Sequence, residues 1–145
     1  MKTPISKNFT YEHFEFSSKA YELGIDNSIK SDKVRFAIRL LVLNLLEPLQ
    51  SLVNWPLILS SGYRCPELNK EIGGAKNSQH LLGEASDIHC GNALEVLSLA
   101  QIVLRHKLPF DQMILYKSIL HLSFKANGQQ RHQILYDKSY KEAQL

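Results

Sequence analysis

Apolar residues along this chain fall into blocks whose spacing alternates between helical and strand-like. From Phe9 to Gly24 the positions Phe9, Tyr11, Phe14, Phe16, Ala20, Tyr21 and Leu23 predict short helices broken at Ser17-Ser18, with Gly24 as the stop signal. That stretch reads as a docking segment. Asn27 to Ser31 is a polar loop, and Ser31 or Asp32 can cap the next helix by accepting hydrogen bonds from its free backbone N–H groups. Val34, Ala37, Ile38, Leu41, Leu45 and Leu49 then recur at three- and four-residue intervals. They predict a helix from about Asp32 to about Val53, which Pro48 kinks or splits.

After Asn54-Trp55-Pro56 the blocks shorten. Leu57 to Ser61 predicts a short buried strand, and Gly62-Tyr63-Arg64-Cys65-Pro66 turns the chain out of the sheet. Glu67 to Ile72 predicts a short helix ended by Gly73-Gly74, followed by the polar loop Lys76-Asn77-Ser78. Gly83 allows a sharp bend before a strand from Glu84 to His89. A second long helix runs from Asn92 to Lys107, with Leu94, Leu97, Ala100, Ile102, Val103 and Leu104 along it and Pro109 beyond its end. Three strands follow: Gln112 to Tyr116, Ile119 to Phe124 and Gln133 to Tyr136, joined by a tight hairpin at Lys117-Ser118 and a longer loop from Ala126 to Arg131. The tail after Tyr136 is polar and expected to fray. With no repeat, low-complexity tract or linker, residues 1–145 read as a single domain.

Composition narrows the class. An apolar fraction of 44% over 145 residues is that of an ordinary globular domain with a real core. A net charge of +3 is too small and too evenly spread for a nucleic-acid partner, although it suits an anionic polymer such as a cell wall. Cys65 and Cys90 form neither a disulfide framework nor the paired spacings of a structural metal site, and read as buried free thiols. A cysteine hydrolase built on either with His80 has no local signature to support it. No apolar run approaches the roughly 20 residues of a membrane span, and the N-terminus lacks the apolar stretch of a signal peptide. The expectation is a chain that stays in the cytoplasm until something releases it; the oligomeric state is not indicated.

Strand alternation sorts the polar residues that remain. In the late strand Leu120, Leu122 and Phe124 share one face, and His121 and Ser123 the other. In the earlier strand Ser86, Ile88 and Cys90 lie opposite Ala85, Asp87 and His89. Two such strands side by side make a floor from which Asp87 and His121 project. His80, in the loop before Gly83, could close over them. His89 shares the face of Asp87 and reads as surface or packing, with an alternative ligand role beside it.

The wording around these residues resembles the zinc-dependent D-alanyl-D-alanine carboxypeptidase family, which also contains phage endolysins that cut L-alanyl-D-glutamate bonds in peptidoglycan. The matching stretches are Ser60 to Asn69, Gly73 to His80, Gly83 to Ile88, Phe110-Asp111-Gln112 and His121 to Phe124, within a likeness from about Phe9 to Tyr136. The resemblance implies an α+β fold in which an antiparallel sheet carries the metal site and helices pack on the opposite face. It places the metal ligands, for Zn2+, on His80, Asp87 and His121; three protein ligands with one open position are the catalytic rather than the structural zinc pattern. It places the motif arginine on Arg64, whose planar fork suits a substrate carboxylate or an oxyanion, with a loop-stabilising ion pair as the plainer role. Ser78, Gln79 and Gln112 become candidate substrate contacts; Ser78 and Gln79 could equally cap their loop. The implied partner is a peptidoglycan peptide or muropeptide.

One position departs from the pattern. The family commonly places a catalytic carboxylate just ahead of the last histidine, whereas here Ser118 lies three residues before His121 and Tyr116 closes the preceding strand. No Asp or Glu lies between Asp111 and His121. Three routes to turnover stay open: Glu84 or Asp111 swings into the site, Tyr116 donates the proton, or the zinc suffices. The alternative from another class is a zinc-containing, catalytically weak or inactive module that binds wall peptide.

Overall fold

The computed structural model describes residues 2–145. Its helices are α1 (Tyr11–Glu15), α2 (Ser18–Leu23), α3 (Asp32–Leu41), α4 (Glu47–Ser51), α5 (Pro66–Glu71) and α6 (Ala93–Arg105). The strands are β1 (Leu59–Ser61), β2 (Ala85–His89), β3 (Gln112–Leu115), β4 (Ile119–Ser123) and β5 (Gln133–Tyr136), in the sheet order β1-β2-β4-β3-β5. The fold is α+β, as the family resemblance implies.

Most local expectations hold, and their causes are visible. Ser31, rather than Asp32, caps α3: its hydroxyl accepts from the Val34 N–H. The expected long helix does split near Pro48. Between α3 and α4 the residues Val42–Leu46 form a π-helical turn in which the Glu47 N–H reaches back five residues to the Val42 carbonyl. Proline has no N–H to continue the ladder, and the wider turn takes up the mismatch just before it.

One expectation, the antiparallel sheet, holds with an exception, and one needs correction. The sheet is antiparallel through β1, β2, β4 and β3, but β5 pairs parallel with β3. The reason is topological: β4 is already flanked by β2 and β3, so the chain leaving it crosses to the free edge of β3 and arrives there running in the same direction. The tail is also held rather than loose over its first turn. The Asp137 backbone N–H donates to the Leu115 carbonyl at 2.9 Å, Lys117 N–H donates to Ser139 Oγ at 3.1 Å, and Tyr140 is buried. An aromatic ring within the polar run is what anchors it, packed beside Tyr136.

The core lies between one sheet face and the helices. Ile38, Leu41, Leu45 and Leu49 from α3 to α4, and Val96, Leu99 and Val103 from α6, pack with Ile88, Met113, Leu115, Leu120 and Leu122 of the strands. Phe14 of α1 is completely buried, and its carbonyl accepts from Tyr63 N–H, so the N-terminal segment docks as expected. The opposite sheet face is left to polar side chains, and the cleft forms there.

Candidate metal centre

β2 and β4 pair in a register that sets Asp87 opposite His121. Directly opposed residues on one sheet face stand about 5 Å apart at Cβ, close enough for a short carboxylate and an imidazole to meet. They do: His121 Nδ1 lies 2.8 Å from Asp87 Oδ1. His80 arrives from a 3-10 turn, Gln79–Leu82, capped by the Ser78 hydroxyl and ended by Gly83 in the left-handed region. A side chain at 83 is also barred by space, since a Cβ there would stand 2.7 Å from the Val34 carbonyl. The bend that brings His80 over the sheet therefore depends on that glycine.

Each ring nitrogen of His80 has a distinct environment. Nδ1 is 2.6 Å from the Gly62 carbonyl, which can only accept, so Nδ1 carries the hydrogen and Nε2 of the neutral ring presents its lone pair. Nε2 comes within 3.3 Å of Asp87 Oδ1 but off the geometry of a hydrogen bond, and it is a buried polar atom without a partner. A buried, unsatisfied nitrogen is costly unless something not drawn from the protein meets it. One donor atom each from His80, Asp87 and His121 lies within 4.8 Å of the others. Ligands on a common tetrahedral centre, with bonds of about 2.0–2.2 Å, stand about 3.3 Å apart. Two imidazoles and a carboxylate at this spacing fit a divalent metal ion. Burial alone would raise the pKa of Asp87, but the hydrogen bond from His121, together with the imidazoles beside it, outweighs that and holds the carboxyl well below the usual range.

Arg64 stands over the other carboxylate oxygen. Nη2 is 3.4 Å from Asp87 Oδ2, Nε donates to Ser61 Oγ at 3.1 Å and Nη1 donates to Asn69 Oδ1 at 3.2 Å. A bulge in the β1–β2 pairing places Ser61 opposite Asp87, which is how the turn after β1 reaches the site. Buried Asn69 also donates to the Ala75 carbonyl, and buried Asn27 ties the Arg64 turn to α1 through Tyr63, Cys65 and Glu15. Arg64 is thus the ion-pair partner of Asp87, the plainer of the roles considered for it, and it lines the cleft.

The cleft encloses about 540 Å³, and Arg64, Ser78, Gln79, Gln112, Tyr116 and the three triad residues line it. The structure therefore brings together every predicted site residue except Glu84, which does not line it. Both Glu84 oxygens are occupied: Oε1 accepts from Gln79 Nε2 at 3.1 Å and Oε2 from Ala126 N–H at 3.1 Å. Gln79 Nε2 also donates to Asp111 Oδ2, so its amide bridges two carboxylates. Ser78 caps its turn, and the Gln112 amide donates to Gln133 Oε1 at 2.8 Å. Burial, and then the charge of Asp87, raise the pKa of Tyr116, so its phenol keeps its proton at neutral pH. His89 is exposed, with no place in the triad. Burial first, and the charge of Glu95 second, push the Cys90 thiol up to about 11, which leaves it a poor nucleophile.

Sequence reasoning missed Arg131 as a wall of this cleft. It lies on the loop after β4, where no periodicity applies; the one available signal was that a buried Asp111 needs a cation. The larger surface groove, lined by Leu43, Trp55, Pro56 and Ile58 among others, holds none of the triad.

A family model described as Peptidase M15 matches residues 7–123. The matched span runs from before α1 to the end of β4 and contains all three triad residues. No curated protein matches the chain.

Proposed function

This chain belongs to the peptidase M15 family, and from that premise we propose that it is a zinc-dependent peptidase acting on peptidoglycan stem peptides, at a D-alanyl-D-alanine or an L-alanyl-D-glutamate bond. The observation that carries the reading is the buried, partnerless Nε2 of His80 converging with His121 Nδ1 on one oxygen of Asp87. His80, Asp87 and His121 would hold the ion. Bound there, zinc supplies Lewis acidity that polarises a peptide carbonyl and makes water nucleophilic at neutral pH.

The remaining work falls to side chains around the triad. Arg64 is fixed by Ser61 and Asn69, so its fork is preorganised to meet a substrate carboxylate or the oxyanion at the scissile carbonyl. The protonated phenol of Tyr116, which lines the cleft, would hydrogen-bond the oxyanion or give a proton to the departing amine. Glu84 acts by holding Gln79 and the chain after β4 in place, and through Gln79 it steadies the turn that carries His80. No helix among the described residues is long and apolar enough to cross a membrane; action on the wall after release of the chain is part of the proposal.

Metal analysis of the purified chain, with hydrolysis of muropeptides and of D-alanyl-D-alanine, tests the proposal. One zinc per chain and cleavage of at least one substrate are expected, with both lost in His121→Ala. A zinc-loaded chain that cleaves none of them supports a second reading, a zinc-containing module that binds stem peptide without turnover. A specific observation favours that alternative: among the described residues lining the cleft, Asp87 is the only carboxylate, and it is a ligand.

A further inference from the structure

Arg131 is built into the cleft in a way that the metal chemistry does not require. Its side chain is about half exposed, while the Asp111 carboxylate behind it is only 1% exposed. Nε lies 3.2 and 3.1 Å from the two Asp111 oxygens, Nη2 donates to Oδ2 at 2.8 Å, and the backbone N–H donates to Oδ1 at 2.8 Å. Gln79 completes the set with a 3.1 Å bond to Oδ2. One edge of the guanidinium is thereby fixed, and Nη1 makes no hydrogen bond to the protein among the described residues. A planar cation locked on one edge, with donors free on the other and a wall position in the cleft, is a preorganised receptor for an anion.

The rest of the lining agrees. Arg64 is the other cationic wall, and the lining carboxylate, Asp87, is taken by the triad. Asp111 neutralises Arg131 from behind, so its free edge offers hydrogen bonds directed at one place rather than a diffuse positive field. The buried carboxylate also links Arg131, through Gln79, to the residue next to His80, so its distance from the metal centre is fixed by three side chains and not by a free loop.

We propose that Arg131 is a specificity-determining residue that binds a second carboxylate of the substrate peptide, distinct from the group met by Arg64. The inference rests on the stem-peptide reading above and deepens it. Such a carboxylate comes from either of two sources, the peptide C-terminus or the free carboxyl of its glutamate.

The test uses a synthetic stem pentapeptide, which carries both candidate bonds, in three forms: free acid, C-terminal amide and glutamate amide. Affinity is measured by titration of the full chain, both zinc-loaded and metal-free, for wild type, Arg131→Lys and Arg131→Ala. Wild type should lose about tenfold or more in affinity for one amide, as expected for a charge-assisted bond, and the form that suffers identifies the source. Arg131→Ala should bind that amide and the free acid equally, whereas Arg131→Lys should keep part of the discrimination. Thermal melting checks each variant, and if Arg131→Ala does not fold, reduced discrimination in Arg131→Lys decides the matter. Equal acid-to-amide ratios in wild type and Arg131→Lys would overturn the Arg131 assignment alone. Absence of binding to every form by the wild-type chain would overturn the stem-peptide reading together with it.

Discussion

In the proposed mechanism Tyr116 takes the proton-donor role expected of a carboxylate, and Glu84 takes only a supporting one. Tyr116 lines the cleft with its proton retained, while Glu84 has both oxygens occupied outside the lining. Replacing Tyr116 by Phe should therefore lower kcat by about 10²-fold or more with KM little changed, since loss of a positioned acid costs about 10² to 10⁴ in rate. Steady-state kinetics on the best muropeptide checks this, and an unaltered kcat would remove Tyr116 from the chemistry. Glu84→Gln should act mainly on stability, because an amide can accept one of the two bonds but turns a donor toward the other. A loss of about 1–3 kcal/mol in denaturant unfolding, with less than a tenfold fall in kcat, is the expected outcome. Abolished turnover in the folded variant would instead identify Glu84 as the working carboxylate and would dispose of the non-catalytic alternative. At this scale the sequence was most legible where backbone period did the sorting. Alternation placed Asp87 and His121 on the polar face, but Glu84 and Arg131 lie at a strand edge and in a loop, where no period says which way a side chain points.

Among the elements, the turns set the geometry of the site more than the strands do. The loop after α5 is one case. A Cβ on Gly74 would stand 2.1 Å from Asn69 Oδ1 and 3.0 Å from Arg64 Nη1. Gly74→Ala should displace Asn69, cost about 1–3 kcal/mol of stability, and release one of the bonds that aim Arg64. Its signature should be a lower kcat/KM with the metal still bound, measured by kinetics beside metal analysis; a variant that loses its zinc would show that the loop serves the triad instead. The helices and strands could be read from apolar spacing because burial on one side imposes a period. The π-helical turn before Pro48 could not, since several backbone solutions accommodate a proline. Neither could the parallel placement of β5, which depends on which edges of β4 other strands already occupy.

For the molecule as a whole, the Asp111–Arg131 pair joins the chain after β4 to the start of β3, and it carries a pH dependence. Burial raises the Asp111 pKa, but the hydrogen bonds and charge of Arg131, with a bond from Gln79, outweigh it and leave it below the ordinary 3.8. A carboxylate depressed in the folded state contributes stability above its unfolded pKa and loses it as pH falls through the folded value. The contribution should be intact at neutral pH and vanish progressively below about pH 4. Asp111→Asn should flatten that part of an acid-unfolding profile, while an unchanged profile would show the pair to be immaterial to acid stability. The pairing of Asp87 with His121 has a consequence of a different kind. Sliding β2 against β4 by one residue would turn one of these side chains toward the helices, so only the native alignment presents both to an ion. A zinc ion held by the triad would thus act as a proofreader of strand alignment: binding only the correct pairing, it would stabilise it by about 2.7 kcal/mol at a hundredfold excess over Kd, and misaligned chains would gain nothing. Zinc should raise Tm in calorimetry by about 5–10 °C at that concentration and leave His121→Ala unmoved. A polypeptide folded without metal should then hold a larger share of misaligned molecules, and late addition of zinc should draw them slowly into the active population.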